Sequence, residues 1–361
     1  MSKKEVINVG IVGYGLAGST FHAPLITSTP GLQVTCIVAR SPEKRAQVRN
    51  EFPRAEVLAS FDKLVEKFKE IDLAVIATPN KEHAAQAIAC MQVGIPVVID
   101  KPMAISLAEA ELLIECSEST GVPLSVFQNR RWDNDFLTIK KLIADERLGK
   151  IYRLESRFER YRPQPRPGAW RETISPEEGG GLLFDLGSHL IDQATQLFGQ
   201  PTQVYAECET RREGVSADDD TFIALSFPGG EKAHIWVSAV AASQGHRFRL
   251  LGSAGAYEKY GLDPQEDALR AGRTPMLDPD WGLEAREHWG KVTEYIDNKK
   301  YELTLETHPG EYQKFYEQMR DAVSGTGTVP VDPQDALNTL RIIEAARLSA
   351  QQKTPVAMSH S

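Results

Sequence analysis

The sequence predicts an α/β protein: an N-terminal doubly wound parallel sheet covered by helices, followed by an α+β domain with an antiparallel sheet. Two observations lead to this prediction. As far as residue 128, short β-branched runs alternate with stretches of helical periodicity, and parallel strands need such long crossovers. Beyond residue 128, strand-like stretches follow one another, and several alternate apolar with polar residues.

The elements of the first domain, residues 1–128, come in a regular order. A β-branched run over residues 6–12 ends in glycines and leads into a helical register that continues to residue 28. The alternation then repeats through predicted strands at 32–38, 73–77, 97–100 and 124–127 and predicted helices at 42–52, 81–93 and 106–120.

The second domain is expected to span residues 129–361, because 361 residues are long for a single hydrophobic core. A helix is predicted around residues 136–144, and a closing helix, 335–352, is expected to pack back on the first domain. The predicted strands between them cover residues 151–161, 202–210, 221–227, 232–240 and 248–252.

Composition excludes several classes of protein. The net charge is −9 and the basic residues form no long run, so we expect no nucleic-acid partner. The longest apolar stretches are only strand-sized, so we expect no membrane segment. The four cysteines are scattered without a CxxC pair, which favours buried free thiols, no metal site and a cytoplasmic location.

A glycine motif ends the first predicted strand. Gly13, Gly15 and Gly18 form G-x-G-x-x-G between that strand and a predicted helix. Glycines at these positions let the backbone approach a pyrophosphate on the helix N-terminal amides, as in a Rossmann domain. The alternative is a glycine turn that binds no ligand.

The tip of the second predicted strand favours NADP over NAD. The residue that contacts the adenosine ribose is expected about 20 residues after the glycines, and Arg40 and Ser41 stand there in place of an Asp or Glu. A carboxylate would repel a 2′-phosphate, whereas a guanidinium binds it with two hydrogen bonds. The alternative is an ordinary exposed arginine.

Two further strand tips are expected at the same ligand. One carries Thr78, Pro79 and Asn80 with His83, where Asn80 could equally be a helix cap. The other carries Lys101 at the end of an apolar strand, beside a crevice where a desolvated amine can share a proton near neutrality.

The segment 179–199 carries the candidate acid–base groups of the second domain. If it is helical from about Asp185, then Asp185, His189 and Asp192 lie on one face. Alcohol oxidation needs a base for the hydroxyl proton, and a histidine held by a carboxylate meets that need. Spacing alone leaves open a helix cap at Asp185 and a buried structural histidine at 189.

Taken together, these motifs resemble the Gfo/Idh/MocA oxidoreductase family, in order and over nearly the whole chain. The stretches 125–138 and 260–266 and the sequence GSHLIDQA are further similar to the NADP-dependent scyllo-inositol dehydrogenase branch of that family. The resemblance implies a Rossmann domain joined to a domain with a large, mostly antiparallel sheet. It also implies a homo-oligomer, a dimer or a tetramer.

The resemblance also implies roles for individual residues. Lys101 corresponds to the catalytic lysine, His189 to the proton-transferring histidine, and Asp185 to a carboxylate that binds substrate and relays the proton. Asp100 replaces the glutamate usual in the family before the lysine. We expect Lys101 and His189 to bracket the reacting hydroxyl. The expected substrate-binding residues are Asn129, Arg130, Arg131, Trp132, Asp133, Arg160, Tyr161 and Arg162.

Some of these arginines have another interpretation. Arg160 and Arg162 belong to an arginine-rich segment, 157–171, that could equally be a solvated strand and loop, and the whole substrate set could be a salt-linked surface. The function expected is an NADP-dependent oxidoreductase for a secondary alcohol of a cyclic polyol, such as scyllo-inositol. The alternatives are a redox-assisted glycosidase and a ligand-sensing regulator on the same fold.

Overall fold

A computed structural model of the chain describes residues 6–165 and 174–358. The chain divides into two compact units that are not consecutive in sequence. The first runs as far as Trp132 and also contains Gln265–Trp281 and Glu311–Leu337. The second contains Asp133–Pro264, Gly282–Gly310 and the chain from Asn338 onward. The division expected at residue 128 stays a prediction about domains.

The first unit contains a parallel sheet, which confirms the predicted fold class. Among the described residues it has six strands in the order β3-β2-β1-β4-β5-β6. The order reverses between β1 and β4, which is the switch point where ligands bind in doubly wound folds. The strands are β1 (Ile7–Val12), β2 (Leu32–Val38), β3 (Glu56–Leu58), β4 (Leu73–Ile76), β5 (Val97–Asp100) and β6 (Leu124–Phe127).

Local sequence explains where the helices of this unit begin and end. The Ser41 hydroxyl accepts a hydrogen bond from Lys44 N at the start of one helix, and Ser106 does the same for another, which ends at Gly121 with φ +66°. The first five α-helices are α1 (Ala23–Thr27), α2 (Pro42–Glu51), α3 (Phe61–Val65), α4 (His83–Gln92) and α5 (Leu107–Thr120).

Later segments of the chain complete the core of the first unit. The Phe127 ring at the end of β6 packs 4.9 Å from Phe315 and 4.5 Å from His22, measured between ring centroids. Phe315 and Tyr316 are fully buried on a helix that the sequence analysis did not predict. The helices that enter this unit from later in the chain are α8 (Gln265–Arg270), α9 (Gln313–Val323) and the first residues of α10 (Pro333–Gln352).

The second unit is built on a mostly antiparallel sheet, as predicted. Among the described residues it has nine strands in the order β14-β13-β12-β11-β7-β10-β9-β8-β15, and only β7 and β10 pair in parallel. The strands are β7 (Ile151–Glu159), β8 (Gln203–Glu209), β9 (Asp220–Ser226), β10 (Lys232–Ser238), β11 (Phe248–Gly252), β12 (Gly255–Lys259), β13 (Gly290–Ile296), β14 (Lys299–Leu305) and β15 (Val356–Ala357).

One face of this sheet is buried under helices of the same unit. Along β10, Ala233, Ile235 and Val237 are fully buried, whereas the residues between them are partly exposed, as the alternation in the sequence predicts. The α-helices among the described residues of this unit are α6 (Asn134–Ala144), α7 (Ser188–Phe198) and the part of α10 from Asn338 onward.

The described residues bear on the expectations about membrane segments, metal sites and cysteines. No helix among them is both long and apolar enough to cross a membrane, and they hold no metal-binding cluster of acidic, histidine or cysteine side chains. All four cysteines are free thiols. Cys36 and Cys90 are buried, and burial raises the pKa of both thiols to about 12.

Candidate active site

The turn after β1 brings backbone directly against backbone. Gly13 has φ +99°, and a Cβ atom there would lie 2.6 Å from the carbonyl oxygen of Ala77, just after β4. A Cβ atom on Gly18 would lie 2.1 Å from the carbonyl oxygen of Gly13. Side chains are therefore excluded at both positions, because real Cβ contacts are longer than 3.0 Å.

Gly15 differs from the other two glycines of the motif. A Cβ atom on Gly15 would meet nothing within 4 Å, so the protein itself does not require a glycine there. The chain after it forms a π-helical turn, Ala17–His22, that continues into α1, and Ser19 N donates to Gly15 O at 3.0 Å. An open glycine before a helix N-terminus fits a bound pyrophosphate, which needs close approach to backbone amides.

The tip of β2 carries Arg40 and Ser41, as the sequence indicates. Ser41 caps α2, while the Arg40 guanidinium forms a two-pronged ion pair with Glu82: Nη1 lies 3.1 Å from Oε1 and Nη2 lies 2.5 Å from Oε2. This pair raises the pKa of Arg40. The Arg40 side chain is 67% exposed, so it remains accessible to a ligand.

The tip of β4 is held in place by a buried histidine. His83 Nδ1 lies 2.8 Å from Pro102 O, and His83 Nε2 lies 2.8 Å from Thr78 O. A carbonyl oxygen only accepts hydrogen bonds, so each contact needs an N–H on the ring. His83 thus joins the turn after β4 to the turn after β5. Asn80 is buried inside a short 3₁₀ turn and does not cap it through its side chain, so the capping interpretation was wrong.

Lys101 follows a buried polar cluster at the tip of β5. Asp100 Oδ1 lies 3.6 Å from His22 Nε2, and His22 Nδ1 lies 2.6 Å from the Tyr316 hydroxyl. Burial acts to raise the pKa of Asp100, but the contact with His22 and the nearby charges of His83 and Lys101 hold it below its usual value. Asp100 therefore carries its negative charge at neutral pH, beside the Lys101 amine.

The second unit carries Asp185 and His189 on one continuous helical segment. A π-helical turn, Leu183–Gly187, leads directly into α7. Asp185 lies inside this turn, which excludes the interpretation of Asp185 as the helix cap. Asp218 caps the turn instead: its Oδ2 accepts hydrogen bonds from Leu183 N at 2.7 Å and from Thr221 Oγ1 at 2.8 Å. Burial raises the pKa of Asp218. His189 is 5% exposed.

The residues expected to bind substrate are mostly buried and charge-compensated. Arg130, in the 3₁₀ turn Asn129–Trp132 of the first unit, donates from Nη2 to Glu266 Oε2 at 2.8 Å. Asp133, in the second unit, has Arg247 Nη2 at 4.0 Å.

Other residues predicted to bind substrate also make contacts within the unit to which each belongs. In the first unit, Arg131 Nη2 donates to Asp335 Oδ2 at 2.9 Å, and the Trp132 ring packs edge-on against Phe315. In the second unit, the backbones of Arg160 and Arg162 bond alongside the end of β10, and Tyr161 is exposed. Residues 166–171 of the arginine-rich segment lie outside the described residues.

Comparison with known proteins decides the family. Residues 7–128 match the oxidoreductase family, NAD-binding Rossmann fold, and residues 140–358 match the oxidoreductase family, C-terminal alpha/beta domain. The chain belongs to the Gfo/Idh/MocA oxidoreductase family. The matched NAD-binding segment contains every strand tip of the first unit described above, so this Gfo/Idh/MocA oxidoreductase has its family's nicotinamide-cofactor domain.

Individual relatives of this Gfo/Idh/MocA oxidoreductase match along the whole chain. It is 38% identical to the scyllo-inositol 2-dehydrogenase (NADP(+)) IolW of Bacillus subtilis, covering 99% of this chain and 98% of that protein. It is 39% identical to the uncharacterized oxidoreductase YdgJ of Escherichia coli, covering 98% and 99%. The solved structure of yvaA from Bacillus subtilis superposes with a TM-score of 0.93 at 37% identity, covering 99% of this chain and 100% of that chain.

Sequence reasoning missed four residues that hold the candidate site residues in place. Glu82 and Gln86 are four apart around the start of α4, a spacing that could have indicated a contact between them. His22 and Asp218 gave no such signal. Their structural roles depend on contacts with Tyr316 and Leu183, which are 294 and 35 residues away in the chain.

A matched pair of glycine substitutions tests the backbone packing after β1. Gly18→Ala forces a Cβ atom against Gly13 O and should lower the free energy of unfolding by about 3 kcal/mol, as overpacking does. Gly15→Ala is the control, since its Cβ atom meets no neighbour and should cost nothing measurable. Urea denaturation checks both; equal losses in the two variants would contradict the packing described.

The depressed pKa of Asp100 predicts a pH-dependent stability. A carboxyl whose folded-state pKa lies below its unfolded value stabilises the protein above about pH 4, and that contribution disappears as the pH falls further. In urea denaturation, the stability difference between the wild-type protein and Asp100→Asn should therefore be largest above about pH 5 and shrink progressively as the pH falls below about 4. A difference that stays constant across this range would show that the Asp100 charge does not stabilise the fold.

Proposed function

We propose that this chain is an NADP-dependent dehydrogenase that transfers a hydride between nicotinamide and a secondary alcohol of a cyclic polyol. The substrate proposed is scyllo-inositol, with the corresponding inosose as product. The observation that carries the proposal is the 38% identity, over essentially both full lengths, to a protein named as scyllo-inositol 2-dehydrogenase (NADP(+)). The related inositol 2-dehydrogenase 2 of Saccharopolyspora erythraea, 28% identical over 69% of this chain, supports the same substrate class.

The strand tips of the first unit support the choice of NADP. The residues after β2 read Ala39-Arg40-Ser41, so the tip of β2 itself carries no Asp or Glu of the kind that commonly binds the ribose 2′-hydroxyl of NAD. The exposed Arg40 guanidinium can bind a 2′-phosphate through paired hydrogen bonds. Gly13, Gly15 and Gly18 would carry the pyrophosphate. The turn from Thr78 to Asn80, positioned by His83, would contact the cofactor, as would Lys101.

Residue roles follow from the chemistry of the reaction. When bound, the nicotinamide accepts the hydride during oxidation and returns it during reduction. The hydroxyl group must lose its proton as the hydride leaves, and we assign that proton to the His189 imidazole, with Asp185 as the carboxylate that binds substrate and relays it. Lys101 donates a hydrogen bond to the reacting oxygen, and the ionised carboxylate of Asp100 precedes it at the tip of β5.

The predicted substrate residues suit an uncharged ligand. Arg130 and Asp133 already have partners of opposite charge, Glu266 and Arg247, so neither presents an uncompensated charge that would favour an anion. Hydroxyl groups can bind such compensated groups as additional donors and acceptors. We propose Asn129, Trp132 and Arg160 as further members of this set.

Assembly and location complete the proposal. We propose a homo-oligomer, a dimer or a tetramer, because the resemblance to the family implies one. We also propose a cytoplasmic enzyme, since all four cysteines are free thiols.

Absorbance at the nicotinamide band tests the proposal, with NADP or NAD against a panel of inositols and sugars. NADP should be reduced with scyllo-inositol, and kcat/KM with NADP should exceed that with NAD by about tenfold or more, the contribution of a charge-assisted hydrogen bond. A preference for NAD would overturn the cofactor assignment. Sugar release without net NADP turnover would indicate a glycosidase, and no turnover with any polyol would indicate a regulator.

A further inference from the structure

In the Arg40–Glu82 ion pair, hydrogen bonds to other residues restrain the Glu82 carboxylate. The Glu82 backbone is fixed, because Glu82 N donates to Pro79 O at 2.8 Å. Its side chain is 21% exposed, against 67% for Arg40. Glu82 Oε2 accepts a second hydrogen bond from Gln86 Nε2 at 2.9 Å, so the carboxylate is held from behind as well as by the guanidinium.

Gln86 extends this contact to the tip of β4. Thr78 Oγ1 donates to Gln86 Oε1 at 2.8 Å, while Gln86 Nε2 donates to Glu82. A continuous chain of hydrogen bonds therefore runs from Thr78 through Gln86 and Glu82 to Arg40. Because Gln86 is buried and fixed at both ends of its amide, it keeps the Glu82 carboxylate beside the Arg40 guanidinium.

The Glu82 carboxylate therefore competes with a 2′-phosphate for the Arg40 guanidinium. A guanidinium has five N–H donors, and Glu82 occupies the two terminal nitrogens of Arg40. A 2′-phosphate that binds Arg40 must either displace the carboxylate or bind close to it, and a phosphate dianion is repelled by a carboxylate at such short range. An unphosphorylated ribose meets no such repulsion, because its 2′-hydroxyl is uncharged.

We propose that Glu82 is a specificity-determining residue that lowers the affinity for the 2′-phosphate and so limits the preference for NADP over NAD. This inference rests on the proposed function, in which Arg40 binds that phosphate. In this arrangement Arg40 supplies the attraction and Glu82 reduces it, so the ratio of the two cofactor affinities depends on both residues. Glu82 belongs to the segment 78–83 after β4, and it thus contributes to cofactor specificity at the tip of β2.

Binding of two small probes tests the proposal without any turnover. Adenosine 2′,5′-bisphosphate carries the 2′-phosphate and lacks nicotinamide, and AMP lacks that phosphate. By titration calorimetry, Glu82→Gln should tighten binding of the bisphosphate about three- to tenfold, with the larger effect at low ionic strength. Its affinity for AMP should change by less than about twofold, since AMP lacks the 2′-phosphate that Glu82 would repel.

Glu66→Gln is the matched control. Glu66 also forms an exposed ion pair in the first unit, with Lys63 at 2.7 Å, so this variant makes the same change in net charge away from Arg40. It should leave both affinities within about twofold of wild type. Thermal melting of both variants verifies the fold.

The outcomes separate this proposal from the proposed function. If Arg40→Ala weakens binding of the bisphosphate while Glu82→Gln leaves it unchanged or weakens it, the role of Glu82 is overturned and the NADP assignment stands. If Arg40→Ala leaves binding of the bisphosphate unchanged, the NADP assignment and the role of Glu82 both fail. The predicted result is that Glu82→Gln tightens binding of the bisphosphate, Glu66→Gln leaves it within about twofold of wild type, and Arg40→Ala weakens it.

Discussion

The first unit depends on backbone packing at the switch point of its parallel sheet. Gly13 lies against Ala77, and Gly18 lies against Gly13, at separations that leave no room for a Cβ atom. This packing fixes where β1 ends relative to β4 and where the following helical turn begins. Arg40, His83 and Lys101 follow strands β2, β4 and β5 of the same sheet, so where these strands end helps to determine which side chains can reach one ligand.

Charge compensation is the second common feature of the candidate site residues. Arg40 is paired with Glu82, Arg130 with Glu266, and Asp100 lies near His22. Compensated charges reduce the desolvation cost of placing ionic groups near an apolar sheet. Arg40 combines such a partner with an exposed guanidinium, so it stays accessible to a ligand.

The sequence was informative where local chemistry determines structure. The alternation of strand and helix patterns predicted five of the six strands of the parallel sheet but missed the three-residue β3. The glycine spacing predicted the turn after β1, where Gly13 and Gly18 leave no space for a Cβ atom. Contacts between distant segments could not be predicted: nothing local indicates that residues 311–337 complete the first unit, or that Asp218 caps the turn containing Asp185. The π-helical turns also escaped prediction, since apolar spacing does not distinguish them from an α-helix.

The central proposal is that Lys101, besides its contact with the cofactor, acts on the reacting hydroxyl group of a polyol. The most direct measurement is the single-turnover rate of hydride transfer in Lys101→Met, with NADPH binding measured on the same preparation by fluorescence. The account predicts that the variant binds NADPH while hydride transfer slows by about a hundredfold or more, the usual loss when a hydrogen-bond donor to the reacting oxygen is removed. A variant that binds NADPH and transfers hydride at the wild-type rate would contradict it.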